Sequence, residues 1–245
     1  MTFCHGQNLR LAHGPKKALS IQPFDVAFPS GKLTALVGRN GSGKTTFLRA
    51  ILGERVLASG EIHLEGLSRP TTSCSPRELS KAVAIVPQEH RFPSELRLVD
   101  LLRLAYLPSL GLLGRMPDEN TPEIQKVLQA FGLEHLARRS LHAISTGERQ
   151  KAFLARALLQ KPKVLLLDEP TNHLDPGAIF DFWETLTKMR TAIPFEVVVA
   201  THDLPFVKRY AQWVCALETG NPCFQGEPEA FFTRGIPSRL FGGTL

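Results

Sequence analysis

A glycine-rich stretch over residues 38–46, GRNGSGKTT, has the residue types and spacing of a phosphate-binding loop. It fits the pattern G-x-x-x-x-G-K-[ST], follows an apolar run at residues 33–37 and precedes a helical pattern at residues 45–52. Glycines let the backbone turn tightly, so that several N–H groups point at phosphate oxygens, and the following helix adds its positive N-terminal end. We expect Lys44 to reach the β- and γ-phosphates of a nucleoside triphosphate and the Thr45 hydroxyl to bind Mg²⁺. The candidate nucleotide-binding residues of this loop are Gly38, Arg39, Asn40, Gly41, Ser42, Gly43, Lys44, Thr45 and Thr46.

Two adjacent carboxylates, Asp168 and Glu169, end a second apolar run at residues 164–167. Side chains alternate along a strand, and the bend at its end allows both carboxylates to reach one site. Asp168 is predicted to hold Mg²⁺ through water, and Glu169 is predicted to polarise the attacking water as a general base. The competing interpretation is a strand end with a solvated acidic turn, and the phosphate-binding loop earlier in the chain argues against it.

A third segment, residues 144–150 (ISTGERQ), precedes a helical pattern at residues 149–159. The spacing Ser145-x-x-Glu148 predicts a capping box at the start of that helix. The same helix N-terminus could bind a γ-phosphate through the Ser145 hydroxyl and a backbone N–H group. The candidate binding residues of this segment are Ser145, Thr146, Gly147 and Glu148.

Short apolar runs that are nearly continuous recur along the chain, as expected for strands covered on both faces. They lie at residues 33–37, 83–86, 164–167 and 197–200. Helical patterns lie between them, which favours a parallel α/β sheet. Residues 89–160 contain no convincing strand and are predicted to form a helical insertion. The end of the chain is predicted to hold a hairpin, with strands at residues 213–217 and 223–225, followed by a loose, basic tail.

Composition excludes several protein classes. The chain has 245 residues, 43% of them hydrophobic, and a net charge of +6. No run approaches the roughly 20 apolar residues that cross a bilayer, and the N-terminus does not have the pattern of a signal peptide. The cysteines Cys4, Cys74, Cys215 and Cys223 lack CxxC spacing and are expected to be reduced thiols. We therefore expect a cytoplasmic protein and exclude a secreted disulfide scaffold, an integral membrane protein and a zinc finger. The positive charge alone does not choose among anions, nucleic acid and an acidic membrane surface as partners.

The order of the motifs resembles that of the nucleotide-binding subunit of ABC transporters, over about residues 8–230. Gln88, in the stretch VPQ, is similar to the family's Q-loop glutamine, and residues 144–150 are similar to its LSGGQ signature. The later motifs that carry the resemblance are similar to Walker B, the D-loop and the H-switch, and they lie at residues 168–171, 172–175 and 201–203. A P-loop kinase is disfavoured, because nothing resembles a lid over a second substrate.

The resemblance implies an α/β fold. It consists of a P-loop NTPase core of the ABC ATPase type, an inserted helical subdomain and an N-terminal antiparallel β region. A single ABC ATPase domain would then span residues 1–245. Its predicted parts are a core at about 1–88 and 161–232, a helical signature subdomain at about 89–160 and a tail at 233–245.

The resemblance also implies roles for individual residues. Gln88 would contact Mg²⁺ and link the nucleotide state to the helical insertion, while His202 would hold the γ-phosphate and orient Glu169 and water. Asp175 would contact a second copy of the chain, because the signature of one subunit covers the ATP bound by the other. The catalytic residues would be Glu169, His202, Gln88 and Lys44, and the Mg²⁺ ligands would be Thr45, Gln88 and Asp168.

Two positions depart from the family pattern. Thr146 stands where the signature usually has glycine, and hydrolysis would be slowed if that position required a positive φ. The aromatic residue that stacks on adenine is missing near the N-terminus, and His13 is the best-aligned candidate for that contact.

Residues 106–115, and then 131–136 after an acidic segment, are similar to the ATPases of iron-siderophore, haem and cobalamin importers. This implies a homodimer on the cytoplasmic face of the inner membrane, docked on two multi-span permease subunits through a groove near residues 88–97. An extracytoplasmic binding protein would deliver the ligand, and no nucleic acid is expected.

Two alternatives remain at this point. The stretch LLLDEPTNHLD and the basic charge would also suit a soluble ABC ATPase that acts on ribosomes or DNA. Thr146 would also suit a regulatory or inactive nucleotide-binding module.

Overall fold

A computed structural model of the chain describes residues 1–12, 19–20, 22–110 and 114–242. It contains two compact units. The first comprises Met1–Leu79, Leu166–Glu169 and Glu196–Leu245, and the second comprises Ser80–Leu165 and Pro170–Phe195. The division into core, helical subdomain and tail that the sequence suggested stays a prediction.

The described strands are β1 (Thr2–Leu11), β2 (Phe24–Pro29), β3 (Leu33–Val37), β4 (Leu57–Leu64), β5 (Val83–Val86), β6 (Val164–Asp168), β7 (Glu196–Thr201), β8 (Trp213–Glu218) and β9 (Asn221–Gly226). The described α-helices are α1 (Lys44–Ile51), α2 (Pro76–Ala82), α3 (Leu98–Arg103), α4 (Pro122–Phe131), α5 (Thr146–Leu159), α6 (Pro176–Ala192), α7 (Leu204–Tyr210), α8 (Pro228–Thr233) and α9 (Ile236–Phe241). None of these helices has the length and apolar character that crossing a bilayer requires.

The first unit begins with an antiparallel sheet in the order β2-β1-β4. Strand β1 is central, and its Cys4 pairs with Phe28 of β2 on one side and Leu64 of β4 on the other. These three residues are buried, so the sheet contributes one face to the core of the unit. The predicted N-terminal antiparallel β region is confirmed.

A second sheet of the first unit carries the site. Strands β7, β3 and β8 are parallel, and β9 runs antiparallel at the edge beside β8. Strand β6 lies next to β7 on the other side. Every residue of β3 is buried, in agreement with the continuous apolar run in the sequence. Val37 pairs with Thr201, so the residues that follow β3 and β7 emerge at the same edge of the sheet.

The second unit is mainly helical. Between residues 89 and 160, the described part of the chain forms α3, α4 and α5 with short 3₁₀ turns, and its only β contact is an isolated bridge between Arg97 and Ser140. The predicted helical insertion is therefore present.

The prediction of a loose C-terminal tail after about residue 232 is wrong for residues 233–241. Helices α8 and α9 form at this end of the chain, and Phe231, Ile236 and Leu240 are buried. Phe231 packs against Phe224 of the β8–β9 hairpin, with ring centroids 5.6 Å apart. Helices of six residues are not stable alone, so this burial accounts for their formation.

Candidate active site

The phosphate-binding loop connects β3 to α1 in the first unit. Gly41 and Gly43 have φ values of 79° and 104°, which side-chain-bearing residues rarely adopt. A Cβ on Gly38 would lie 2.5 Å from the Leu217 carbonyl oxygen and would collide with the Ser42 hydroxyl. The glycines at these positions therefore give the loop both its turn and its close approach to β8.

Lys44 is the first residue of α1, and its side chain folds back into the loop. Its Nζ donates to the Gly38 carbonyl at 2.9 Å and lies 3.4 Å from the Arg39 carbonyl. It also forms an ion pair with Glu169, with 3.1 Å between Nζ and Oε1. Both side chains are almost fully buried, 7% and 6% exposed, so this is an ion pair shielded from solvent.

Glu169 lies just after β6 and is held by both backbone and side-chain contacts. Its N–H donates to the Ala200 carbonyl of β7 at 2.8 Å, and its φ of 46° is in the left-handed region. Its Oε2 lies 2.9 Å from Nδ1 of His202, the residue after β7. A carboxylate accepts hydrogen bonds, so Nδ1 of His202 is the donor in this contact. The His202 side chain is 48% exposed and can meet a ligand.

Asp168 fits the role of a Mg²⁺ ligand. Its side chain is buried, and Oδ1 has no hydrogen-bond partner among the described residues. Burial raises the pKa of its carboxyl above the ordinary value, the Thr45 hydroxyl bonded to it lowers that pKa, and the Glu169 carboxylate raises it further. A buried carboxylate oxygen without a partner, beside a hydroxyl, is the donor set that a hard cation prefers. The bound cation would favour the charged form of Asp168.

The signature segment, residues 144–150, lies in the second unit and forms the predicted capping box. The Ser145 Oγ accepts from the Glu148 N–H at 3.2 Å, and Glu148 Oε2 accepts from the Ser145 N–H at 2.8 Å. The Ser145 hydroxyl also donates to Glu148 Oε2 at 2.7 Å, and the bonds from this hydroxyl and from the Ser145 N–H lower the pKa of the Glu148 carboxyl. Thr146 is the first helical residue of α5 and is absent from the described residues with positive φ. Threonine is therefore accommodated there without backbone strain.

Helix α5 meets helix α6 at a glycine of the signature segment. A Cβ on Gly147 would lie 3.0 Å from the Cβ of Ala178, so this close contact favours glycine. Asp175 caps α6, because its Oδ1 accepts from the Ala178 N–H at 3.0 Å. Asp175 is thus the N-cap of a helix within its own unit, and its contact with a second subunit stays a prediction.

Gln88 is exposed, two residues after β5 in the second unit. The sequence analysis did not identify His90, two positions later, as a residue of this region. His90 stacks on Phe153 of α5, with centroids 3.4 Å apart and planes inclined by 4°, and its Nε2 lies 3.2 Å from Gln150 Oε1. Burial lowers the pKa of His90 to about 4, and the nearby Arg156 charge adds to that effect. The spacing of Gln150 and Phe153 on one helical face was visible in the sequence, but their partner was not.

The predicted site residues thus divide between the two units. Lys44, Thr45, Asp168, Glu169 and His202 are brought together in the first unit. Gln88, the signature segment and Asp175 belong to the second unit. The candidate adenine contact, His13, lies outside the described residues, as do residues 111–113 of the importer-like stretch and the last three residues of the tail.

Comparison with known proteins identifies the family. The family described as "ABC transporter" matches residues 21–172. The ferric enterobactin transport ATP-binding protein FepC of Escherichia coli (strain K12) is 30% identical over 97% of this chain and 86% of its own length. The hemin import ATP-binding protein HmuV of Nocardia farcinica (strain IFM 10152) is 34% identical over 93% of this chain and 77% of its own length.

Solved structures agree on the fold. A chain from "an inward-facing conformation of a putative metal-chelate type ABC transporter" matches with a TM-score of 0.84 at 24% identity, covering 98% of this chain and 89% of that one. The ADP conformation of MJ1267, an ATP-binding cassette of an ABC transporter, matches with a TM-score of 0.83 at 21% identity, covering all of both chains. The chain belongs to the ABC transporter family and is an ATPase of that family, related to the ATP-binding subunits of siderophore and hemin importers.

Proposed function

We propose that this chain hydrolyses ATP as the motor subunit of an importer for an iron complex, either a siderophore or haem, or for a cobalamin-like ligand. The names of its relatives support this reading, since FepC is a ferric enterobactin transport protein and HmuV is a hemin import protein. The same names favour import over the alternative of a soluble ATPase on ribosomes or DNA.

The proposed chemistry rests on the chain of contacts from Lys44 through Glu169 to His202. Glu169 would accept a proton from the water that attacks the γ-phosphorus, and its buried, fixed carboxylate suits a general base. His202 would keep that carboxylate oriented through Nδ1 and would face the γ-phosphate with the rest of its ring. Lys44 would bind the β- and γ-phosphates and offset charge as the terminal phosphoryl group leaves.

Asp168, Thr45 and Gln88 are the residues we propose to hold Mg²⁺. The free Oδ1 of Asp168, next to the Thr45 hydroxyl, supports this assignment in the first unit. When bound, Mg²⁺ would supply electrostatic stabilisation of the phosphate oxygens. The loop from Gly38 to Thr46 would direct its N–H groups at the phosphates, with α1 adding its N-terminal charge.

Lys44 also explains how ATP binding could prepare the base. Its ammonium is occupied by Glu169 and by the Gly38 carbonyl. A triphosphate would compete with Glu169 for that ammonium, because it presents several anionic oxygens. Once Lys44 turns to the phosphates, the Glu169 carboxylate is left with His202 and is free to accept a proton from water.

We further propose that two copies form the working unit. Ser145, Thr146, Gly147 and Glu148 would cover the ATP bound by the second copy, and Asp175 would lie at the shared interface. The capped N-terminus of α5 supports this, because it orders the N–H groups that an anion would meet. ATP would then favour the closed pair, since the second set of donors is used only when a γ-phosphate is present.

The proposed partners are two multi-span permease subunits and, indirectly, an extracytoplasmic ligand-binding protein. The chain would sit peripherally on the cytoplasmic face of the inner membrane. The test is a pull-down of the tagged chain from its own cells in mild detergent, with partners identified by mass spectrometry and an untagged strain as control. We expect a multi-span membrane protein. Recovery of ribosomal or DNA-bound proteins without a membrane subunit would contradict the import function and leave the ATPase assignment intact.

A further inference from the structure

The segment that follows β5 is attached to helix α5 at several points within the second unit. Within β5, just before this segment, the Ile85 carbonyl accepts from Nη2 of Arg156 at 3.3 Å. Further along, the His90 ring lies flat on Phe153 and its Nε2 faces Gln150 Oε1. Gln88 lies between these two attachments.

His90 contributes two interactions that differ in kind. Its stacking on Phe153 is apolar, while the bond to Gln150 satisfies a side chain that is only 9% exposed. Loss of His90 would leave the Gln150 amide oxygen buried without this partner, which carries a desolvation penalty. The neighbouring Phe92 contacts Phe153 and His142 through its ring alone, at centroid distances of 5.9 and 4.7 Å.

The attachment lies close to the signature segment. Gln150 is five residues beyond the N-cap Ser145 on the same helix, which is about 7.5 Å along the axis at 1.5 Å per residue. A helix transmits position along its axis because its hydrogen bonds are continuous. The attachment of His90 to α5 therefore limits how far Gln88, two residues earlier, can move relative to Ser145.

We propose that His90 is a positioning residue that joins the Gln88 loop to helix α5, so that Gln88 and the signature segment act as one rigid element. This rests on the roles proposed above for Gln88 and the signature. His90 would act without binding ATP itself. His90 affects hydrolysis through Gln88. Loss of His90 therefore lowers kcat, whereas the affinity for ATP, which the Lys44 loop sets, does not change.

The test is a double-mutant cycle on the purified full chain, with kcat and KM for ATP measured for His90→Ala, Gln88→Ala and the double variant. We expect His90→Ala to lower kcat about tenfold with KM within twofold, and the double variant to match Gln88→Ala alone. Independent effects would multiply, so a double variant whose kcat falls by the product of the two single losses would overturn the proposal.

The matched control is His142→Ala, which removes a ring from the same aromatic cluster but neither of the His90 contacts. It is expected to keep kcat within twofold. An equal loss of kcat in His142→Ala and His90→Ala would show that both act through general packing of the cluster, and it would overturn the proposal. If His90→Ala does not fold, Gln150→Leu breaks the same hydrogen bond from the helix side and must show the same lack of additivity with Gln88→Ala. A kcat of Gln88→Ala equal to that of the natural chain would instead refute the proposed role of Gln88. Failure of the proposed function and failure of the His90 proposal therefore give different results.

Discussion

Glu169→Gln is the most informative single substitution in the site. It keeps the size of the side chain and leaves an amide that can still face Lys44 and His202, but it removes both the negative charge and the basic oxygen. Glu169 is 3.1 Å from the Lys44 ammonium and 2.9 Å from His202, and it is nearly buried. The substitution therefore removes proton acceptance, whereas ATP binding is expected to stay equal or to become stronger.

The expected magnitudes follow from that geometry. Loss of a general base lowers kcat by about 10² to 10⁴, which corresponds to about 2.7 to 5.5 kcal/mol in the barrier. The Lys44–Glu169 attraction across 3.1 Å is about 5 kcal/mol at an effective dielectric constant of about 20, before desolvation is subtracted. In the natural chain a triphosphate must displace Glu169 from Lys44. The variant should therefore bind ATP equally well or up to about tenfold more tightly.

The assay measures phosphate release and the Kd for ATP on the same preparation. The control is Glu61→Gln, which makes the same chemical change on an exposed side chain of β4 and should alter neither quantity. Hydrolysis by Glu169→Gln within threefold of the natural chain would refute the assignment of the base. A Kd raised tenfold or more would refute the idea that Glu169 competes with ATP for Lys44.

Further predictions concern the loops and one surface carboxylate. Gly38→Ala should abolish ATP binding in a filter or fluorescence assay, because its Cβ would lie 2.5 Å from the Leu217 carbonyl oxygen; retained affinity would show that the loop can relax. Thr146→Gly should keep ATPase activity equal or higher, since this position is already helical, and a tenfold drop would mean that the threonine is adapted to the site. Hydrogen bonds from Ser75 lower the pKa of Glu78 to about 2. A group with a depressed folded pKa contributes stability above its unfolded pKa of about 4.5 and loses it as the pH falls toward 2, so Ser75→Ala should raise the Glu78 midpoint in an NMR titration.

Much of the fold could be predicted because its signals are local. Strands β3 and β5 begin and end where their apolar runs do, and the capping box at Ser145 follows from a spacing of three residues. The prediction of a loose tail was wrong because the structure of that segment depends on tertiary burial and not on a local sequence pattern. Helices α8 and α9 are too short to be stable alone, and contacts such as that of Phe231 with Phe224 stabilise them.

The chemistry available to this chain could be predicted from its residue types and their spacing. The loop from Gly38 to Thr46 and the paired carboxylates at the end of β6 already pointed to a nucleoside-triphosphate site, and the order of all the motifs resembled that of ABC ATPases. Such inferences are possible because glycine, lysine and carboxylate each have properties that hold in any fold.

The pairing of these groups depends on the tertiary structure. The contacts of Glu169 with Lys44 and His202 join residues that are 125 and 33 positions apart, and the attachment of His90 to α5 spans 60 positions. The adjacent strands β6 and β7 and the left-handed backbone of Glu169 direct its carboxylate into the site. Such long-range contacts depend on strand order and side-chain packing, and no local pattern of residues carries that information.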